Sequence, residues 1–443
     1  MVPDQTLKLY RRLQYKRLNT GTILVMRIGL FTDSYHPSTN GITVVVDIMK
    51  KNLELLGHEV YVVAPAGSLK YWSLPEKHVI RFAALKGLFF DEFLTSVFFP
   101  PKQLRRIRAL KLDAIVIFTP AQIGLMGAYS ALSDGIPLIS QYSTDLTEYV
   151  ERYPAVMPGV LALYTTMPFA LKSRARDVLR ITHQLATKND DTMSWKAFSI
   201  QKTLTYLHNR CDTVISVSPK VAKTLRTWGT KSPVHTIPTG VDLGIVDNKK
   251  VALLKKKYGL KDTDTVLLSL GRVAKEKNID LIIDALPFVL EYEPETKLVI
   301  VGDFSYRKDL EDKVSSMGLK KNVVFTGRVA MKDRWNMYAL ADIFCFPSLT
   351  DTQALVVNEA ALMSLPIVWC DDGVNEVLVD GKTGLRAKNT TSSYAKALLK
   401  LVRGKTVRQQ YGQTAKKRAS KFSEIHQTQK LVDVIEPLVA RRP

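Results

Sequence analysis

Twice along this chain, short runs of β-branched and apolar residues alternate with longer stretches of helical periodicity, the pattern that parallel βαβ units leave in a sequence. In the first half the expected strands are 27–32, 60–64, 114–118, 138–142 and 213–217. Between the first two, Val46, Met49, Leu53 and Leu56 recur at helical spacing and Gly57 supplies a stop. The second half repeats the pattern, with strands expected at 266–270, 297–301, 323–325, 343–346 and 367–369. A chain of 443 residues is too long for one ordinary core. The expectation is an α/β protein of two doubly wound, Rossmann-like domains facing across a cleft, with ligands at the carboxyl ends of the strands. The turn-rich stretch from Pro233 to Asp242 marks the junction.

The boundaries read from the sequence are a basic extension at 1–25, a first domain at 26–235, a second at 236–415 and a basic terminal helix at 416–443 that packs back on the first domain. Residues 155–210 read as a long, mostly helical insertion carrying Lys172, Arg174, Arg176 and Arg180. Met26 is an alternative start.

The net charge of +21 is unevenly spread. Residues 1–250 hold 32 basic and 19 acidic side chains, residues 251–400 hold 21 and 20, and residues 401–443 hold 10 and 3. Such a field calls for an anionic partner, nucleic acid or an anionic membrane leaflet. No nucleic-acid-binding module is visible, which favours the membrane. No run of about 20 apolar residues is present to span a bilayer. The stretch 88–99 packs five phenylalanines, and Lys102, Arg105, Arg106, Arg108 and Lys111 follow it. That composition suits an interfacial anchor; a buried aromatic cluster under a basic helix is the other reading. Three scattered cysteines, Cys211, Cys345 and Cys370, form no disulfide framework or zinc spacing and fit a reducing cytoplasm.

The chemistry concentrates at strand ends. Asp351-Thr352-Gln353, read as an exposed acidic turn, follows the strand at 343–346, and a helix opens near Leu355 with Glu359 in its second turn. Unpaired N–H groups at that helix start suit a pyrophosphate. Two carboxylates eight positions apart can hold the two ends of a nucleotide-sugar; a solvated turn with a helix-face Glu is the alternative. Gly271-Arg272, with Lys277 behind, ends another strand and suits a diphosphate, or is a solvated basic loop. Gly302-Asp303 and Gly327-Arg328 end two more strands. The loop after the first strand closes on Asn40-Gly41, which either admits a ligand to the backbone or merely caps a helix. It lacks the Gly-x-Gly-x-x-Gly spacing of a dinucleotide site, and no Walker-type loop exists.

Taken in order, Asn40-Gly41, Pro238-Thr239-Gly240-Val241-Asp242, Gly271-Arg272 with Lys277, Gly302-Asp303, Gly327-Arg328, Asp351 and Glu359 resemble the retaining glycosyltransferases of family 4, with the GT-B fold. The resemblance spans about residues 26–420. The opening run from Arg27 to Tyr35 is most similar to bacterial diacylglycerol glucosyltransferases, with phosphatidylinositol mannosyltransferases close behind. The resemblance implies a metal-independent hexosyltransferase that needs no cofactor beyond its donor, UDP-glucose, and that glucosylates a lipid hydroxyl, that of diacylglycerol, at the cytoplasmic face of the cell membrane. It implies that Arg272 and Lys277 hold the diphosphate, that the backbone N–H of Gly41 meets a phosphate, and that Glu359 binds the ribose. Asp351, Thr352, Gln353 and Ala354 would line the sugar, and Arg328 with Val329 would lie near the base. The family usually has Glu at the position of Asp351, Gly at that of Ala354 and often His at that of Ser143. These departures keep open a non-catalytic partner subunit, beside the phosphatidylinositol mannosyltransferase-like alternative.

Overall fold

The computed structural model describes residues 24–38, 40–66, 77–87, 90–96, 101–152, 157–187 and 193–442. Two units result: Met1–Gly240 together with Glu424–Pro443, and Val241–Ser423. The sequence reading placed these breaks at 235/236 and 415/416. The extension at 1–23 lies outside the described residues.

The first unit is built on one eight-stranded sheet. Its strands are β1 (Arg27–Phe31), β2 (Glu59–Ala66), β3 (Val79–Gly87), β4 (Phe90–Ser96), β5 (Ala114–Ile117), β6 (Leu138–Tyr142), β7 (Thr213–Ser216) and β8 (Val234–Thr236). They lie in the order β4-β3-β2-β1-β5-β6-β7-β8, all parallel except for the β3/β4 pair. The order reverses between β1 and β5, so the loops after these two strands flank a switch point. The helices are α1 (Gly41–Leu55), α2 (Pro101–Ala109), α3 (Gln122–Asp134), α4 (Leu146–Arg152), α5 (Met157–Ala170), α6 (Ala175–Ala186), α7 (Trp195–His208) and α8 (Pro219–Thr227).

Alternation along β1, β2 and β5 sorts side chains to two faces. Ile28, Leu30, Val60, Val62, Ala114 and Val116 pack beneath α1. Phe31, Val63, Ile115 and Ile117 pack with Ile107 of α2, Ile123 and Leu125 of α3, Met167 of α5 and Leu207 of α7. The insertion expected at 155–210 is therefore three helices, α5 to α7.

The second unit holds β9 (Thr265–Leu270), β10 (Thr296–Val301), β11 (Val323–Gly327), β12 (Ile343–Phe346), β13 (Ile367–Trp369) and β14 (Gly384–Arg386). The order is β11-β10-β9-β12-β13-β14, entirely parallel, with its switch point between β9 and β12. Its helices are α9 (Asn248–Lys257), α10 (Asp280–Leu290), α11 (Arg307–Ser316), α12 (Arg334–Tyr338), α13 (Leu355–Leu362), α14 (Thr391–Arg403) and α15 (Lys405–Ala419). The chain then returns to the first unit as α16 (Glu424–Ala440), whose Ile425, Leu431, Val432 and Ile435 complete the core beneath α1.

Within the stretch 88–99, Phe90–Ser96 is a strand antiparallel to β3, while 88–89 and 97–100 lie outside the described residues. One expectation is corrected: the terminal helix is not basic. α16 and the residues after it carry Lys430, Arg441 and Arg442 against Glu424, Asp433 and Glu436. The basic side chains that made the tail positive, from Arg403 to Lys421, belong to the second unit. With the observed boundaries the first unit holds 33 basic and 20 acidic side chains and the second holds 30 and 22. Among the described residues, no helix is long and apolar enough to cross a membrane.

Candidate nucleotide-sugar site

In the second unit the loops after β9 and β12 flank the switch point, and they carry the predicted charges. Lys277 Nζ lies 2.7 Å from Asp351 Oδ1 in a partly buried ion pair. Burial alone would raise the Asp351 carboxyl. The Lys277 charge and hydrogen bond, the Ser348 hydroxyl and the Arg272 charge outweigh it and hold the carboxyl below its usual range. Arg272, Lys277 and Asp351 thus converge. Arg272 itself donates to Glu276 Oε1 at 3.1 Å and sits 5.1 Å over the Phe304 ring.

The two loops are stitched by a residue to which the sequence reading gave no role. Asn278, in the left-handed region at φ 56°, donates its Nδ2 to Pro347 O at 3.2 Å and to Asn389 Oδ1 at 2.8 Å. Asn tolerates that backbone better than most residues. The turn at 351–353, read as exposed, is half-buried, with Gln353 fully inside and its carbonyl accepting from Asn375 Nδ2 at 2.8 Å.

The strand-end glycines have internal reasons. Gly271, at φ +150°, donates its N–H to Val301 O, and Gly302 donates to Gly327 O, each at 3.0 Å. A Cβ on Gly302 would stand 1.8 Å from Gly271 O, so no side chain fits. Asp303 is engaged locally: Oδ1 accepts from the Phe304 N–H at 3.0 Å, and Oδ2 lies 3.8 Å from Arg307. Arg328 and Val329 follow Gly327; the arginine is exposed and the valine half-buried.

Beyond Asp351, Thr352 is half-buried, and Ala354 occupies the left-handed region at φ 58°, ψ 72°. It immediately precedes α13, whose first residue is Leu355, and its side chain offers no cap. Glu359, on that helix, is buried. Arg334 Nε lies 2.8 Å from its Oε1, and the Tyr338 hydroxyl donates to its Oε2 at 2.7 Å. Burial pushes the Glu359 carboxyl up, and Arg334 and Tyr338 pull it only part of the way back. Sequence reasoning missed both partners. Their four-residue spacing, which puts them on one helical face just before β12, was the available signal.

In the first unit, Asn40 caps α1: its Oδ1 accepts from the Thr43 N–H at 3.1 Å and its Nδ2 donates to Ser34 Oγ at 2.6 Å. The capping reading therefore holds for Asn40. Gly41 is different, because a Cβ there would have no heavy atom within 4 Å and its φ is ordinary. Among the described residues, none requires glycine at that position. Asp33, at the end of β1, is buried under α3 and accepts from the N–H groups of Ile123 at 2.7 Å and Gly124 at 3.3 Å and from Thr119 Oγ1 at 2.5 Å. Its carboxyl is pushed up to about 6 by burial, against these hydrogen bonds. It serves as the cap that Ala121 does not supply to α3. Ser143 lies one residue past β6, with its Oγ buried. Among the described residues, no group of three His, Cys, Asp or Glu side chains could hold a metal ion.

Comparison with known proteins bears on this arrangement. Residues 39–244 match the family described as Glycosyltransferase Family 4, and residues 251–418 match glycosyl transferases group 1. The chain belongs to the family 4 glycosyltransferases, and it is a hexosyltransferase of GT-B fold. An alpha-monoglucosyldiacylglycerol synthase of Acholeplasma laidlawii is 28% identical over 381 residues, which cover 81% of this chain and 84% of that protein. Its counterpart from Streptococcus pneumoniae is 27% identical over 352 residues, covering 77% and 70%. The crystal structure of Anabaena Alr3699/HepE in complex with UDP and glucose superposes with a TM-score of 0.66 at 18% identity, covering 93% of this chain and all of the other.

Proposed function

We propose that this chain moves a glucosyl unit from UDP-glucose to the hydroxyl of diacylglycerol, with retention of configuration, at the cytoplasmic face of an anionic membrane. It is a glycolipid glycosyltransferase. The observation that carries the reading is the convergence of Arg272 and Lys277 on Asp351 at the β9/β12 switch point. Two cations there suit a diphosphate, whose negative charge grows as the glycosidic bond breaks. When the donor arrives, the Lys277 ammonium turns from the Asp351 carboxylate toward the phosphates, and that carboxylate is released to accept from sugar hydroxyls. Arg272, fixed over Phe304 and against Glu276, presents a planar donor set to the other phosphoryl oxygens.

Glu359, held by Arg334 and Tyr338, accepts from the ribose hydroxyls. Arg328 and Val329 lie beside the base, the Gly41 N–H meets a phosphate, and the Ser143 hydroxyl contacts the sugar. Thr352, Gln353 and Ala354 shape the sugar subsite. The attacking hydroxyl approaches on the face of the leaving group, whose phosphate oxygen accepts the proton. The relatives named alpha-monoglucosyldiacylglycerol synthases support diacylglycerol and glucose as acceptor and sugar.

The test offers UDP-glucose, UDP-galactose and GDP-mannose in turn with vesicles containing diacylglycerol, and reads products by mass spectrometry. A hexosyl-diacylglycerol formed fastest from UDP-glucose is expected. Binding of nucleotide-sugars without product from any donor would identify a non-catalytic partner subunit instead.

A further inference from the structure

We infer that the hairpin formed by α5, α6 and α7 in the first unit is a docking surface for an anionic lipid bilayer. The inference rests on the proposed action at a membrane, and it assigns a face that the aromatic stretch at 88–99 does not include.

Large apolar side chains are seldom left in water without a reason when they cluster. After Leu24 and Val25, the exposed ones in the described part of the first unit are Phe169, Leu179 and Trp195, at 59%, 70% and 53% exposure. All three belong to this one hairpin. The inner face of α6 is marked by Leu185, which is buried. Arg176, Leu179, Arg180 and His183 are exposed, on the side of α6 turned away from Leu185. A leucine among arginines on the outer face of an amphipathic helix is the arrangement of a segment lying in a lipid headgroup region.

Charge complementarity identifies the occupant. Lys172, Arg174, Arg176, Arg180 and Lys196 lie in or beside the hairpin, and Asp177, which pairs with Arg180 at 3.4 Å, is the one acidic side chain described between Phe169 and Lys196. The hairpin also shares its side of the sheet with α2, which carries Lys102, Arg105 and Arg106, because Ile107 and Met167 meet in the same core cluster. α16, whose segment is charge-balanced, packs on the other side of the sheet. The positive field and the exposed apolar side chains therefore coincide on one face, as binding to an anionic bilayer needs.

The experiment uses the full chain with phosphatidylcholine vesicles, with and without phosphatidylglycerol, and reads bound protein by co-sedimentation. Leu179→Ser with Trp195→Ser should weaken binding at least ~10-fold, given the apolar area these side chains would bury. Arg174→Gln with Arg176→Gln should remove the preference for phosphatidylglycerol. Leu253→Ser with Ile245→Ser, which alter comparably exposed side chains of the second unit at 68% and 82%, should change nothing. A second measurement follows hydrogen exchange of wild-type amides 175–186, which should slow on vesicles. Unaltered binding by the Leu179/Trp195 variant with a normal melting curve, or exchange in α6 indifferent to vesicles, overturns the inference. Vesicle binding is read without donor, so its loss in these variants would stand even if no hexose transfer were found.

Discussion

Arg334 Nε sits 2.8 Å from Glu359 Oε1, and the two residues reach each other from different helices, α12 and α13. The Tyr338 hydroxyl fills the other carboxylate oxygen at 2.7 Å. A buried carboxylate with both oxygens engaged has a fixed orientation, which suits it to accept from a ribose diol. Replacing Arg334 with Gln should therefore raise KM for the donor while leaving kcat nearly unchanged. Steady-state kinetics over a donor series checks this; a fall in kcat at constant KM would place Arg334 elsewhere in the reaction.

The two site carboxyls are shifted in opposite directions, and this sets the pH dependence. Burial raises Glu359, whereas Lys277 and its neighbours lower Asp351 below its ordinary range. As pH falls, Glu359 takes up its proton first and loses its capacity as an anionic acceptor. Donor KM should thus rise on the acid side before kcat declines. In Arg334→Gln the carboxyl loses a charge that had lowered it, so the acid limb should move to higher pH. A profile of kcat/KM for both proteins decides, and an unmoved limb in the variant would contradict the assignment.

Lys277→Ala and Arg272→Ala should each lower kcat by about 10²–10³, the usual effect of removing one preorganised stabiliser of developing charge. Lys277→Ala also removes the ion pair that holds Asp351, so weaker sugar binding should accompany the slower step. Arg272→Lys should recover only part of the rate, because an ammonium cannot reproduce the planar donor set. Single-turnover rates at saturating donor are the readout, and wild-type rates in both alanine variants would remove the phosphate assignment.

Much of this site was legible because its charges follow strands with a strong apolar signature. Gly271-Arg272, Lys277 and Asp351 all lie within a few residues of β9 or β12, and the strand order brings those two ends together. Arg334 and Tyr338 were harder to see, since their four-residue spacing is a weak local signal and the carboxylate they face lies across a strand and a loop. β8 and β14, three residues each, show no period, whereas β13, equally short, registered through its apolar run Ile367-Val368-Trp369. β4 lies within the stretch whose aromatic content suggested an interface. The glycines taught a finer point. Gly302 is glycine because Gly271 O is in the way, whereas Gly41 has only open space around it. Sequence alone gives both the same weight.

Ala354 stands in the left-handed region, where a Cβ costs on the order of 1 kcal/mol. Ala354→Gly should leave stability unchanged or raise it, since relief of that strain offsets the extra freedom glycine gives the unfolded chain. Ala361→Gly, inside α13, should instead cost about 1 kcal/mol or more. Thermal unfolding of the two variants makes the comparison. Equal destabilisation would mean that the backbone at 354 is not held as described.

The terminal helix illustrates how net charge can mislead when the point of chain return is unknown. Leu431, Val432 and Ile435 of α16 are buried with Val46, Leu53, Val60 and Val62 of the first unit, and Arg442 donates to Asp134 O at 2.9 Å. The segment belongs to the core and carries no net charge, so its contribution is to stability. Leu431→Ala should cost ~2–5 kcal/mol, as truncation of a fully packed leucine does. Lys430→Gln with Arg441→Gln should barely alter the salt dependence of vesicle binding, because screening at about 0.1 M salt confines such charges to roughly 10 Å. If those two substitutions weakened vesicle binding as much as Arg174→Gln with Arg176→Gln, attraction to lipid would have to come from the whole first unit and not from one side of its sheet.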